Sequence, residues 1–168
     1  MPEESRRALK GLDPRAPLVI DTRELGRRAG SMRTLSRTIP APARLGIEVL
    51  GVPEGTEIEL NVRLESVVEG VLVTATASTT ASGECVRCLD PLERELDAEF
   101  QELYVYPESG AADDEEALRL ERDLIDLEPL LRDAVVLALP LAPVCRDDCC
   151  GLCPECGVRL AADPDHRH

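Results

Sequence analysis

The sequence predicts an α+β fold in which an antiparallel β meander or half-barrel carries one or two packing helices and ends in a cysteine-rich segment. Three observations point there. Apolar and polar residues alternate with period two across much of residues 57–101, apolar residues recur at helical spacing from Leu127 to Ala138, and all seven cysteines lie in two clusters. A chain of 168 residues makes one ordinary domain and is too short for two full-sized ones. With 43% hydrophobic and 31% charged residues the balance is globular, and with 2% aromatics the core has to be built from Val, Leu, Ile and Ala.

Residues 1–44 read as a basic N-terminal arm with a short strand and a short helix. Pro17-Leu18-Val19-Ile20 is the strand. Asp21 or Thr22 then offers an N-cap oxygen to a helix that runs through Leu25 and Arg28 and ends near Gly30. Arg23, Arg27, Arg28, Arg33 and Arg37 fall in or just after it. Ile39-Pro40-Ala41-Pro42 is a linker or an edge element, because proline cannot donate to a sheet ladder.

Residues 45–144 are the meander core. Ile58, Leu60, Val62 and Leu64 alternate with Glu57, Glu59, Asn61, Arg63 and Glu65, so one face of this strand is buried. After a turn near Glu69-Gly70, Val71, Val73, Ala75 and Ala77 mark a second strand rich in Thr and Val. Leu96, Ala98 and Phe100, set against Glu95, Asp97, Glu99 and Gln101, mark a third that continues toward Tyr104 and Tyr106. Paired Glu-rich faces repel, so the neighbouring strand is expected to offer Thr or Arg there. Residues 107–128 hold nine acids against Arg119 and Arg122, which reads as an acidic loop with a short exposed helix. Leu127, Leu130, Leu131, Ala134, Val135 and Ala138 form the apolar stripe of an amphipathic helix that packs on the sheet and stops at Pro140.

Residues 145–168 are a Cys/His tail with too little apolar content to fold unaided. Cys85-Val86-Arg87-Cys88 and Cys153-Pro154-Glu155-Cys156 share a spacing at which one turn delivers two thiolates to a zinc ion at about 2.3 Å. Nothing suggests export, so a disulfide framework is not expected. A thioredoxin-type redox pair opens a helix in a βαβ unit, and neither pair sits in one. Two ligand schemes remain open. Cys85, Cys88, Cys153 and Cys156 would make a single zinc ribbon. Alternatively, Cys85, Cys88, Cys145 and Cys149 hold one ion and Cys153, Cys156, His166 and His168 a second, leaving Cys150 spare and open to oxidation. Either scheme gives a zinc-ribbon-like tail around one or two structural ions, with no vacant position for a hydrolytic water. A Gly-rich phosphate loop, a nucleophile elbow and a zinc-hydrolase motif are absent, so the chain does not read as an enzyme.

The net charge of −14 argues against coating nucleic acid by bulk electrostatics. The charge is split, however: residues 1–45 carry ten Lys/Arg against five acids, and residues 46–168 carry nine against twenty-eight. Such a split suits two contacts, the arginines from Arg23 to Arg44 meeting RNA phosphate and the acids of 107–128 meeting a basic protein. No apolar run reaches the roughly 20 residues of a membrane span, and no apolar region follows the charged N-terminus. A cytoplasmic protein without a membrane partner is expected.

Four blocks carry a resemblance: Gly83-Glu84-Cys85-Val86-Arg87-Cys88-Leu89, Ile125-Asp126-Leu127-Glu128-Pro129-Leu130-Leu131-Arg132-Asp133, the run from Leu137 to Cys145, and Asp148-Cys149-Cys150-Gly151-Leu152-Cys153-Pro154-Glu155-Cys156-Gly157. In order and spacing they resemble the YceD family, the large ribosomal RNA subunit accumulation proteins, in an actinobacterial-type version. The resemblance covers roughly residues 45–168. It implies a non-catalytic ribosome-biogenesis factor, with large-subunit rRNA, its precursor or a basic large-subunit ribosomal protein as partner. It also places Cys85, Cys88, Cys145, Cys149, Cys153 and Cys156 at the family's metal-type positions. Many relatives end in Cys-x-Cys where this chain has His166-Arg167-His168, which keeps ligand-capable atoms. From other classes, the same residues also suit a cytosolic thiol or zinc redox sensor, or a protein-interaction adaptor with no link to RNA.

Overall fold

The computed structural model describes residues 11–167, so the start of the N-terminal arm and the ligand expected at His168 lie outside the described residues. In chain order the strands are β1 (Val19–Asp21), β2 (Met32–Pro40), β3 (Leu45–Gly46), β4 (Leu50–Val52), β5 (Glu57–Ser66), β6 (Gly70–Glu84), β7 (Pro91–Val105), β8 (Leu118–Arg119) and β9 (Leu124–Asp126). A 3-10 turn covers Gly110–Asp113, and one α-helix, α1, covers Glu128–Ala138. Seven strands form one sheet, ordered β2-β5-β6-β4-β3, with β7 on the other edge of β6 and β8 beyond it; β1 and β9 pair separately. The β5-β6-β7 meander is antiparallel, and β6 pairs with β7 from Gly70↔Val105 to Glu84↔Pro91.

Period two does what it predicts. Ile58, Leu60, Val62 and Leu64 on β5, and Val71, Val73, Ala75 and Ala77 on β6, are at most 2% exposed. Removing each larger aliphatic side chain from water contributes about 1.5–3 kcal/mol before entropy is charged. Leu131 and Val135 are the buried stripe of α1, which lies against β7 and β3. Its start is fixed three times over: Leu127 N–H donates to the Leu18 carbonyl at 2.9 Å, Glu128 N–H to Asp126 Oδ1 at 3.0 Å, and Pro129 sits in the first turn where a missing N–H costs nothing. Beyond the C-cap residue Leu139, Pro140 stops it.

The helix expected after Asp21 is not formed; residues 22–30 are turns. Asp21 Oδ1 accepts the Arg23 N–H at 2.9 Å, a local Asx contact that competes with helix nucleation. Thr22, the other candidate cap, is buried and donates its hydroxyl to the Asp123 carbonyl at 2.9 Å. Gly26 and Gly30 then take positive φ, and the chain enters β2, which pairs along the whole of Glu57–Glu65 and puts Pro40 at its end. Within the acidic segment, the short helix is the 3-10 turn, begun by Ser109, whose hydroxyl accepts the Ala111 N–H at 3.2 Å. Leu120, Leu124 and Ile125 are buried, so this stretch is pinned to the core by β8 and β9 as well.

The open face of the sheet is acidic in two rows. Glu57, Glu59 and Glu65 lie on β5, and Glu93, Glu95, Asp97 and Glu99 lie on β7, with Arg63 among them. Between the rows, β6 presents Thr74, Thr76, Ser78 and Thr80, and Ser78 Oγ donates to Asp97 Oδ1 at 2.7 Å. The hydroxyl strip separates the carboxylates by about two strand spacings, roughly 10 Å, which limits their repulsion. No helix among the described residues is long and apolar enough to cross a membrane.

Candidate metal centres

The connection between β6 and β7 is itself the first cysteine turn. Cys85 N–H donates to the Asp90 carbonyl at 2.9 Å and Leu89 N–H to the Cys85 carbonyl at 2.9 Å, while the Cys88 N–H points at Cys85 Sγ at 3.5 Å. Leu89 takes φ 64 to complete the turn. At the second cysteine pair the two backbone bonds repeat residue for residue. Cys153 N–H donates to the Val158 carbonyl at 2.8 Å, Gly157 N–H to the Cys153 carbonyl at 2.8 Å, and Gly157 takes φ 75. A bridge between Leu152 and Arg159 closes this small hairpin.

Cys145 and Cys149 are brought to the first turn by the chain that leaves α1. The Pro143 carbonyl accepts the Val86 N–H at 2.9 Å, and Arg94 donates to the Val144 carbonyl. Arg87 donates through Nη1 to the carbonyls of Asp147 and Cys149, each at 3.1 Å. The result is a group of four thiols, Cys85, Cys88, Cys145 and Cys149, whose sulfurs all lie within 4.8 Å of one another. Cys85 Sγ to Cys149 Sγ and Cys88 Sγ to Cys145 Sγ are both 3.7 Å. A regular tetrahedron with 2.3 Å metal–sulfur bonds has edges of about 3.8 Å, so two of the six edges already match and the group could hold a tetrahedral cation. Cys85, Cys88 and Cys149 are buried and Cys145 is exposed.

Electrostatics within the group are polarised. Burial acts to raise the Cys85 thiol, but the amides of Cys88, Cys145 and Arg87 outweigh it and hold the thiol at about 6. For Cys88, the Asp90 amide lowers the value, yet burial and the three neighbouring sulfurs push it up to about 12. Cys145 is raised as well, first by Cys149 and then by burial. The shifts of Cys85 on one side and of Cys88 and Cys145 on the other run in opposite directions, as expected of sulfurs that share one charge at close range.

The second group is Cys153, Cys156 and His166, whose ligand atoms also lie within 4.8 Å of one another. Cys156 Sγ is 3.2 Å from His166 Nε2, and Asp163 Oδ2 is 3.5 Å from His166 Nδ1, the side from which a carboxylate orients a ligating imidazole. The structure therefore keeps the two Cys-x-x-Cys pairs in separate groups, not in one ribbon. Cys150 belongs to neither; it is exposed, with its Sγ 3.8 Å from the Asp148 carbonyl. Arg159 and Asp90 form an ion pair between the two turns. Gly151, at φ 78, packs so closely that a Cβ there would lie 3.1 Å from the Arg87 carbonyl oxygen. Asp90, Arg94 and Arg159 stand in no motif, and Arg87 lies within the first cysteine pair only as one of its two variable positions, so no sequence signal marks them as the clamps of these centres.

The arginines expected to face RNA are largely occupied within the chain. Arg23 pairs with Asp21 at 2.5 Å and Arg33 with Glu24 at 3.1 Å. Arg27 pairs with Glu108 and lies 4.2 Å from the centroid of the Tyr106 ring. Arg37 donates to the carbonyls of Pro17 and Val19 at 3.0 Å, and Arg44 to that of Ile47 at 2.7 Å.

Among the described residues, fold and sites together define a mostly antiparallel β protein with one α-helix and two cysteine-containing groups that could hold metal ions. The chain belongs to the YceD family: the family described as large ribosomal RNA subunit accumulation protein YceD matches residues 73–168, from β6 onward, and that span contains every cysteine. Among curated proteins it is similar to the uncharacterized protein Rv2926c of Mycobacterium tuberculosis, 46% identical over 91% of this chain and 75% of the relative. The uncharacterized protein ML1660 of Mycobacterium leprae is 42% identical over 91% of this chain and 72% of its own length. No solved structure matches the chain.

Proposed function

We propose that this chain is a zinc-stabilised, non-catalytic cytoplasmic factor needed for large-subunit rRNA to accumulate, and that it works by holding a basic protein of that subunit. The observation that carries the reading is the family match, whose span contains both cysteine groups. Zinc suits the donors: four thiolates at tetrahedral spacing are a set it favours, and Cys85, Cys88, Cys145 and Cys149 would hold the first ion while Cys153, Cys156 and His166, with His168 as a further candidate, would hold the second. A bound zinc supplies crosslinking and charge neutralisation, and four protein donors around the first ion leave no position for an attacking water. The acidic rows on β5 and β7 favour a basic protein over the RNA backbone, as does the occupation of Arg23, Arg27, Arg33, Arg37 and Arg44 by internal partners.

The test is the ratio of large- to small-subunit rRNA in cells depleted of the protein and rescued with wild type or with the Cys85→Ser/Cys88→Ser double variant. A fall in that ratio, restored by wild type and not by the variant, is the expected result. An unchanged ratio on depletion overturns the reading. Charge reversal at Glu95 and Glu99 should impair rescue while leaving thermal stability intact, whereas full rescue by that variant would remove the sheet face as the contact.

A further inference from the structure

We infer that the two centres differ in kind: the four-thiol centre is a permanent crosslink, and the Cys153–Cys156–His166 centre is an exchangeable metal site whose loading depends on the first through Asp90 and Arg159. The inference rests on the metal reading above and goes beyond it. In the first centre, facing sulfurs are separated by 64 and 57 positions in the chain, so opening it means pulling the tail away from the end of the β6–β7 hairpin. In the second, the three described ligands all fall between residues 153 and 166, and a cation can leave without parting any two strands of the sheet. Burial points the same way. Three of the first four ligands are buried, whereas Cys156 is exposed and His166 only partly covered, so an incoming chelator or acceptor thiol can reach a cation held there.

Dependence runs in one direction. The second hairpin meets the body where Arg159 pairs with Asp90 and where Gly151 rests on Arg87. Both footholds belong to the first turn: the Asp90 carbonyl closes it through the Cys85 N–H, and Arg87 ties it to the carbonyls of Asp147 and Cys149. A filled first centre therefore fixes the platform on which the second is assembled, while the first takes no ligand from the second.

Zinc release from the zinc-loaded chain of residues 1–168 to an excess of a chromophoric chelator tests this. Two ions should leave in two phases, the faster by about tenfold or more, the size of change that altered surroundings make to a metal site. Cys156→Ser or His166→Ala should abolish or accelerate the fast phase and leave the slow one unchanged. Asp90→Asn, which keeps the closing carbonyl and removes the charge, should accelerate the fast phase alone. Two ions leaving at one rate overturn the inference, as does a single bound ion whose release ignores Cys156→Ser. A chain that retains no zinc, and shows no thiolate-to-metal absorption when offered cobalt(II), fails the metal reading itself.

Discussion

At Cys85–Cys88 the turn closes the longest hairpin of the sheet and meets two thiols from a distant stretch of chain, whereas at Cys153–Cys156 the same turn meets a histidine ten residues on. The backbone bonds of the two turns correspond one to one, with a left-handed residue at Leu89 in one and at Gly157 in the other. Local sequence is thus enough to shape the turn. Whether that turn becomes part of the frame or an appendage depends on how many separated segments converge on it.

The strongest way to break the comparison is to remove one thiol from each centre. Cys149→Ser should cost about 4 kcal/mol of global stability in denaturant unfolding, since losing the proposed metal link between distant segments would belong among the largest single-site effects. Cys153→Ser should cost under about 1 kcal/mol in the same measurement, because its turn frays alone. Equal losses would mean that the two centres are one cooperative unit. Next in size, Asp163→Asn should weaken metal affinity at the second centre about tenfold in a competition titration and leave the first unchanged.

Smaller effects sharpen the likeness of the two turns. Leu89 is 55% exposed at φ 64, so Leu89→Gly relieves left-handed strain at little cost in burial and should stabilise the first turn by about 1 kcal/mol. Gly157→Ala has open space around its Cβ but keeps φ 75, and should cost the second turn a similar amount, read by hydrogen exchange at the Cys153 and Leu160 amides. The smallest global effect belongs to Arg159→Ala. As half of an exposed ion pair it should shift unfolding by under about 1 kcal/mol, even where it alters metal release.

What could be read from the sequence follows the range of the forces involved. The β5 and β6 alternations, the centre of the α1 stripe and the stop at Pro140 are short-range patterns that the structure reproduces, although Ala138 at the end of the expected stripe is exposed and Leu130 and Ala134 are only half-buried. The helix expected after Asp21 is absent: an aspartate that caps a helix and one that makes a local turn look the same in sequence, and only the engagement of Thr22 with Asp123, 101 positions away, decides between them. β2 was hidden because Arg33 and Arg37 interrupt its apolar side and find partners only in folded neighbours. At the sites, the pairs Cys85–Cys88 and Cys153–Cys156 were visible from spacing alone. That Cys145 and Cys149 join the first pair is one of the two schemes the sequence leaves open, and the choice between them is set by Arg87 and Arg94, whose acceptors are backbone carbonyls and leave no mark in a sequence.

The composition of β6 gives the hairpin turn a further consequence. From Thr74 to Ser82 the strand reads Thr-Ala-Thr-Ala-Ser-Thr-Thr-Ala-Ser, a run of small residues with hydroxyls on the outer positions. Sliding it by two residues against β7 would keep nearly every side chain on the face it already occupies, so polarity alone does not choose the alignment. The choice falls to the ends of the ladder: Gly70, where any Cβ would run into the Tyr104 carbonyl, and the bend from Cys85 to Asp90. A cation gripping that bend would set the zero of the alignment for all fifteen pairs of the ladder. Hairpins shifted by two, native-like in polarity and wrong in frame, are the misfolded species to look for when the chain folds without one.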